Sequence, residues 1–337
     1  MERRGTRRTR TAGVVAGALL TLLAATACQS TEPSTPDGSR TVTDGKGAQV
    51  TVPADPTRVI ALSEPTLDGA LALGLTVVGT TSGRGQGAVS AYLADKAAGI
   101  PVVASVAGPN LEQILTLTPD LILTDGTVSA DDSVLDKLAG IAPTVYISPT
   151  GADWQTAFTT LGDVVNRAAE TEQVLAGYRG RVDEIKAGLG PNTGATVSIV
   201  RWGLGQPSVL LRELPPSKVL ADLGLRRPPA QDRDGPGHSQ PVSRENLDQL
   251  DADWMFFGTL GGATSPEGGN TGSAADVGRA ASAAMLDNAV QTPGFTALRA
   301  YRDQRIVPVD GSAWTSAGGP LAATVILTDV AGAMTAG

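Results

Sequence analysis

Two sets of short β-rich runs, each interleaved with helical stretches, flank one long helical segment, and this order constrains the fold more than any other feature of the chain. The first set holds Arg58–Leu62, Thr76–Thr80, Leu121–Thr124 and Thr144–Ile147, with helical candidates at Pro65–Leu73, Leu111–Leu117 and Ser133–Leu138. The second holds Thr196–Arg201, Ser208–Leu211, Trp254–Phe257 and Arg305–Val309, and closes on an apolar helix from Pro320 to about Met334. Such alternation predicts an α/β fold with largely parallel sheets. Between the sets, Trp154, Phe158, Leu161 and Val165, then Val174, Tyr178, Val182 and Ile185, recur at helical spacing. An unbroken helix of 37 residues from Asp153 to Leu189 is unusually long for a globular body, so a break is expected near Arg167. The piece from Ala168 to Leu189 would span ~33 Å, enough to cross between two lobes. A helix packed on one domain fits its sequence equally well.

The start of the chain reads as an address. Arg3, Arg4, Arg7, Arg8 and Arg10 precede an apolar run from Ala12 to Leu20 that continues, with threonines, to Ala27. This is the charged, apolar and small-residue order of a secretory signal over residues 1–27. The next residue, Cys28, is the only cysteine of the chain, and Leu22–Ala27 before it is similar to a bacterial lipobox, which predicts cleavage at Cys28 and a diacylglycerol on its sulfur. A lone exposed thiol in an oxidising compartment is a liability, which favours lipidation over a plain secreted protein. Residues 28–40 carry two prolines and no large apolar side chain, and read as a flexible tether.

Composition then removes several function classes. With 337 residues, 41% hydrophobic and 18% charged, the chain has apolar material for one large domain or two lobes and is not disordered along most of its length. The net charge is −8 although five arginines are concentrated at the start, so the remainder is markedly acidic. A body of that charge makes a poor general nucleic-acid binder, because phosphate contacts need clustered cations. One histidine and one cysteine exclude most zinc sites, thiol chemistry and disulfide frameworks. No metal of its own and no cofactor is expected.

An internal echo is the most informative feature. Asn110–Leu123 can be laid over Ser243–Phe256: in each, a helix N-cap residue stands two before a glutamate, apolar residues follow, and an aspartate opens a buried strand. Glu112 and Glu245 thereby fall in the first turn of equivalent helices. A glutamate there favours the helix dipole by ~0.3–1 kcal/mol and needs no other purpose. Its recurrence in two halves points to a paired role.

The segments Thr41–Pro53, Pro56–Leu62, Leu73–Gly79, Asn110–Ile114, Pro119–Leu123, Ile141–Val145 and Val242–Glu245, with Trp314 followed by Gly319 and Pro320, form an ordered set. It resembles the substrate-binding proteins of ABC importers, in the branch for ferric siderophores, haem and cobalamin. The resemblance runs from about Thr41 to the C-terminus. It implies two α/β lobes, at 41–167 and 191–337, joined by one rigid helix at 168–190, with a shallow ligand cleft between them. It also implies a monomer, moored to the outer face of the cell membrane through a lipid on Cys28, that serves a permease dimer and its ATPase. Family members use one glutamate on each lobe to meet arginines on the two permease subunits, and these match Glu112 and Glu245.

In open α/β sheets ligands sit beyond the C-terminal ends of the strands. That rule puts Glu64, the Ser82–Gly85 loop and residues 104–109 on one wall, and Arg201, Trp202, the 235–239 loop and Trp314 on the other. A ferric siderophore is oxygen-rich and often anionic, which suits guanidinium forks and indole faces. Arg84 and Arg201 are the expected oxygen-reading cations; Trp202 and Trp314 are the expected stacking platforms, with a core role as the alternative. His238, among glycine and proline, reads as a loop residue that would become an axial candidate in a haem reader. The loop Ser105–Gly108 lacks the aromatic residue of haem- and cobalamin-binding relatives, which favours a siderophore. Two other classes remain: a surface hydrolase, for which the chain offers no Gly-x-Ser-x-Gly elbow, P-loop or histidine pair, and a ligand-free adhesive lipoprotein.

Overall fold

The structure, a computed structural model, describes residues 38–105, 107–127, 131–203, 206–235, 239–259 and 274–335. The leader, Cys28 and His238 lie outside the described residues. The body opens with an antiparallel hairpin, Ser39–Thr43 against Gln49–Pro53, so folded chain begins inside the stretch read as tether. Ser39 and Arg40 are drawn into the ladder opposite Pro53 and Val52.

Two separate sheets follow. The first has the spatial order Gly108–Pro109, Val102–Ser105, Val77–Thr81, Val59–Ala61, Leu121–Thr124, Thr144–Tyr146, and only its short edge strand 108–109 runs antiparallel. The second has the order Ser239–Pro241, Pro207–Leu210, Val197–Trp202, Trp254–Gly258, Ile306–Pro308. Its three strands from Val197 onward in that order are parallel. Pro207–Leu210 runs antiparallel to both of its neighbours; against Val197–Trp202 this follows because the few residues between Trp202 and Pro207 allow a hairpin but no crossover helix. Among the described residues no helix is long and apolar enough to cross a membrane.

The helical segment between the sheets breaks where expected. Helix Trp154–Val164 ends at Val165, Asn166 takes a left-handed φ of 58°, and a second helix runs Ala168–Gly188. Asparagine tolerates that conformation better than most residues. The two helices pack tightly: a Cβ on Gly162 would lie 1.9 Å from the Thr171 hydroxyl. Thr171, Leu175, Tyr178, Val182 and Ile185 form the buried stripe of the longer helix. Of these, Leu175, Tyr178, Val182 and Ile185 enter the core under the second sheet, with Val197, Ile199, Trp314 and Ile326. The shorter helix straddles both cores, placing Trp154 and Phe158 in the second and Leu161 and Val164 in the first.

The internal echo is half exact in three dimensions. Asp120 accepts hydrogen bonds from the Thr57 amide (2.7 Å) and hydroxyl (2.8 Å), and Asp253 accepts from the Thr196 amide (2.8 Å) and hydroxyl (2.7 Å). Each carboxylate pins the entry of one strand to the entry of its neighbour. The glutamate-bearing turns diverge. Helix Leu111–Thr116 is capped by Asn110, whose side chain accepts from the Gln113 amide at 3.1 Å. Arg244–Leu250 is instead a 3₁₀ segment broken at Asn246, and the Ser243 side chain caps nothing. Leu247 and Leu250 are its buried residues; their spacing of three is the period a 3₁₀ turn stacks on one face.

Candidate functional site

The C-terminal ends of the strands in both sheets converge on one polar seam. Helix Glu64–Ala72 starts directly after strand Val59–Ala61, with Ser63 as its cap accepting from the Thr66 amide. This places Glu64 at the strand end, where it is buried. Its carboxylate accepts from Ser90 of the first lobe and, at 2.6 Å, from Ser316 of the second. Burial pushes the Glu64 carboxyl up, opposed by the Ser316 and Ser90 hydroxyls and by Arg84. Glu64 is therefore a strut between the lobes.

Arg84 and Arg201 face this seam from opposite lobes. Arg201, half-buried at the end of its strand, donates to the Thr315 carbonyl at 3.3 Å and to the Ser239 hydroxyl. Burial lowers its pKa, and the positive charge of Arg84 pushes the same way. Among the described residues no carboxylate lies within ion-pair distance of either guanidinium, although Glu64 feels Arg84 electrostatically. The two guanidiniums thus lie close enough for each charge to feel the other, with one serine hydroxyl on Arg201. Among the described residues no cluster of histidine, cysteine and carboxylate side chains is placed to hold a metal ion.

The two tryptophans expected as stacking platforms are core residues. Trp202 is 6% exposed, stacked on Phe257 at 5.8 Å and edge-on to Phe295 at 5.5 Å. Strand alternation explains this: Trp202 shares a face with Val200, and both enter the same cluster, while Arg201 points the other way. Trp314 is fully buried, stacked on Phe256 at 4.3 Å, and its indole donates to Asp329 at 2.8 Å. Glu112 and Glu245 are both exposed, on separate lobes. Ser239 ends the 235–239 loop expected on the wall, whereas Ser90 and Ser316 were not legible as site residues; lone serines in loops carry no periodic signal.

Several carboxyls in the body are buried with raised pKa values, among them Glu64, Asp125 and Asp310, each through burial first. Asp68, fully buried, is pushed up from 3.8 to about 6 by burial, against hydrogen bonds from the amides of Leu321, Ala322 and Gly319. A carboxyl whose pKa is higher folded than unfolded contributes stability that is complete below the unfolded value and lost as pH rises through the folded one. The body is thus expected to become less stable as pH rises from about 4 to about 7, by ~3 kcal/mol from Asp68 alone. Calorimetric melting at pH 5 and pH 8 checks this, and the higher midpoint should be at pH 5.

Residues 59–313 match the periplasmic binding protein family, and the chain belongs to that family. The chain is 29% identical over 323 residues to the probable siderophore-binding lipoprotein YfiY of Bacillus subtilis (strain 168), covering 93% of this chain and 94% of that protein. It is 24% identical to the Fe(3+)-citrate-binding protein YfmC of the same organism, covering 88% of each. In fold it is similar to Staphylococcus aureus SirA complexed with staphyloferrin B, with a TM-score of 0.69, 22% identity, and coverage of 86% of this chain and 97% of that one.

Proposed function

We propose that this chain is an extracytoplasmic binding lipoprotein, moored through Cys28, that captures a ferric siderophore between its lobes and delivers it to an ABC importer permease. The observation that carries this reading is the pair Arg84 and Arg201, presented by opposite lobes, without salt-bridge partners among the described residues, beside the Glu64–Ser316 contact. A chelate with peripheral carboxylates can bridge two such guanidiniums, closing a charge-assisted contact to each lobe. The names of YfiY and YfmC, a siderophore binder and a ferric citrate binder, agree with that chemistry. Native mass spectrometry against hydroxamate, catecholate and citrate-type ferric complexes, haem and cobalamin tests it. Retention of an anionic ferric complex is the expected result, and retention of haem or cobalamin alone would replace the ligand.

Glu112 and Glu245 are the proposed permease contacts. Exposed carboxylates fixed on two lobes would meet two cationic pockets and set orientation and encounter rate. The double variant Glu112→Ala, Glu245→Ala is expected to lower iron uptake in cells by at least about tenfold while leaving chelate affinity unchanged. Undiminished uptake would remove the docking assignment.

A further inference from the structure

Helix Pro320–Met334 of the second lobe begins without a cap of its own. Its N-cap residue is Gly319, which has no side chain to offer, and Pro320 has no amide hydrogen. The cap comes from the other lobe. Asp68, one turn after Glu64 on helix Glu64–Ala72, accepts from the amides of Gly319 at 2.9 Å, Leu321 at 2.8 Å and Ala322 at 3.0 Å. Sequence separations of more than 250 residues are closed by one carboxylate. The approach depends on the glycines: a Cβ on Gly319 would lie 2.9 Å from Asp68 Oδ1, and one on Gly318 would lie 2.4 Å from the Ala322 Cβ.

The capped segment is also a wall of the groove. Its first residue, Thr315, holds Arg201 through the carbonyl; the next, Ser316, donates to Glu64; its last, Gly319, donates to Asp68. Arg201 is therefore tied to the first lobe through a strap of five residues, 315–319, whose far end rests on Asp68. A third contact, from the Tyr92 amide to the Ser312 hydroxyl at 3.3 Å, lies just before the strap. Besides the three amides, the group acting on Asp68 is the Tyr92 hydroxyl, whose own pKa is pushed up by burial and by the carboxyls of Asp68, Glu64 and Asp310. The negative charge is held chiefly by helix N-terminal amides, with the Tyr92 hydroxyl beside them, an interaction that strengthens when water is excluded.

We infer that Asp68 is a positioning residue for ligand capture: by capping the last helix from the opposite lobe it sets the lobe spacing, and with it the separation of Arg84 and Arg201. This rests on the groove being the ligand site, and it assigns the preset geometry to a side-chain clasp in addition to the linking helices. A chelate then meets two cations already at working distance and loses less entropy on binding.

The test is pulsed electron–electron distance measurement on the full chain carrying Cys28→Ser, with spin labels at Lys137→Cys on one lobe and Asp303→Cys on the other, both exposed positions. Without any ligand, the labelled parent should give one narrow distance distribution. Asp68→Asn, which puts an N–H donor among three N–H donors, should broaden or shift it. Gly319→Ala, which crowds the same carboxylate, should do likewise and serves should Asp68→Asn fail to fold. In titrations with ferric citrate, Asp68→Asn should raise the dissociation rate by about tenfold. Arg84→Ala should lower affinity with the distance distribution intact. A melting temperature that falls while the distribution of both variants stays narrow would make Asp68 merely structural and overturn the inference. Because the distances need no ligand, failure of every chelate to bind would sink the functional reading and leave the clasp standing.

Discussion

Loss of both groove arginines, Arg84→Ala with Arg201→Ala, is expected to weaken binding of an anionic ferric chelate by on the order of 10²–10⁴-fold, each guanidinium contributing about 1.5–3 kcal/mol through charge-assisted hydrogen bonds. The two effects should fall short of additivity, because both side chains meet one ligand and Arg84 already acts on Arg201 electrostatically. Removing either cation relieves the other of repulsion. Arg201→Lys should recover only part of the loss, since an ammonium cannot present the planar fork that spans two oxygens. Calorimetric titration of parent, single and double variants checks this. Parent-like affinity in the double variant would move the ligand away from these residues.

Trp314→Ala is expected to cost ~3–5 kcal/mol of stability, the range for emptying a large aromatic site in a packed core. It removes the stack on Phe256 and leaves Asp329 without its indole donor, in a largely buried site shared with Arg279. Trp314→Phe should keep most of the stack and lose the hydrogen bond, and so fall between. Chemical denaturation measures both. The informative outcome is the pairing of effects: a core residue lowers stability in the absence of ligand, whereas a stacking platform would lower affinity with stability intact.

Trp314 also marks where sequence reasoning stops. A tryptophan between alanine and threonine a few residues past a strand looks the same whether it faces a groove or a core, and the choice is made by Phe256, a residue from a strand more than fifty positions earlier. For Trp202 the cue was present, since the alternation Val200–Trp202 places it on a buried face opposite Arg201. Elements with strong periodicity were legible. The strands Leu121–Thr124 and Thr144–Tyr146 and the closing helix from Pro320 follow directly from apolar runs and turn residues. The break before Ala168 follows from length alone. What could not be read is what depends on distant partners. Asp68 looks like a polar residue in a short helix until Gly319 and Leu321 are brought against it. The turn at Glu245 looks like the helix at Glu112 until Asn246 leaves helical geometry. The antiparallel strand Ser239–Pro241 has too few apolar residues to announce itself.

The most direct test is titration of ferric citrate, against iron-free citrate, into the purified chain at two ionic strengths. Saturable one-to-one binding that requires iron, and that weakens as salt screens Arg84 and Arg201, is the predicted result. No saturable binding of this or any other ferric complex would contradict the account at its centre.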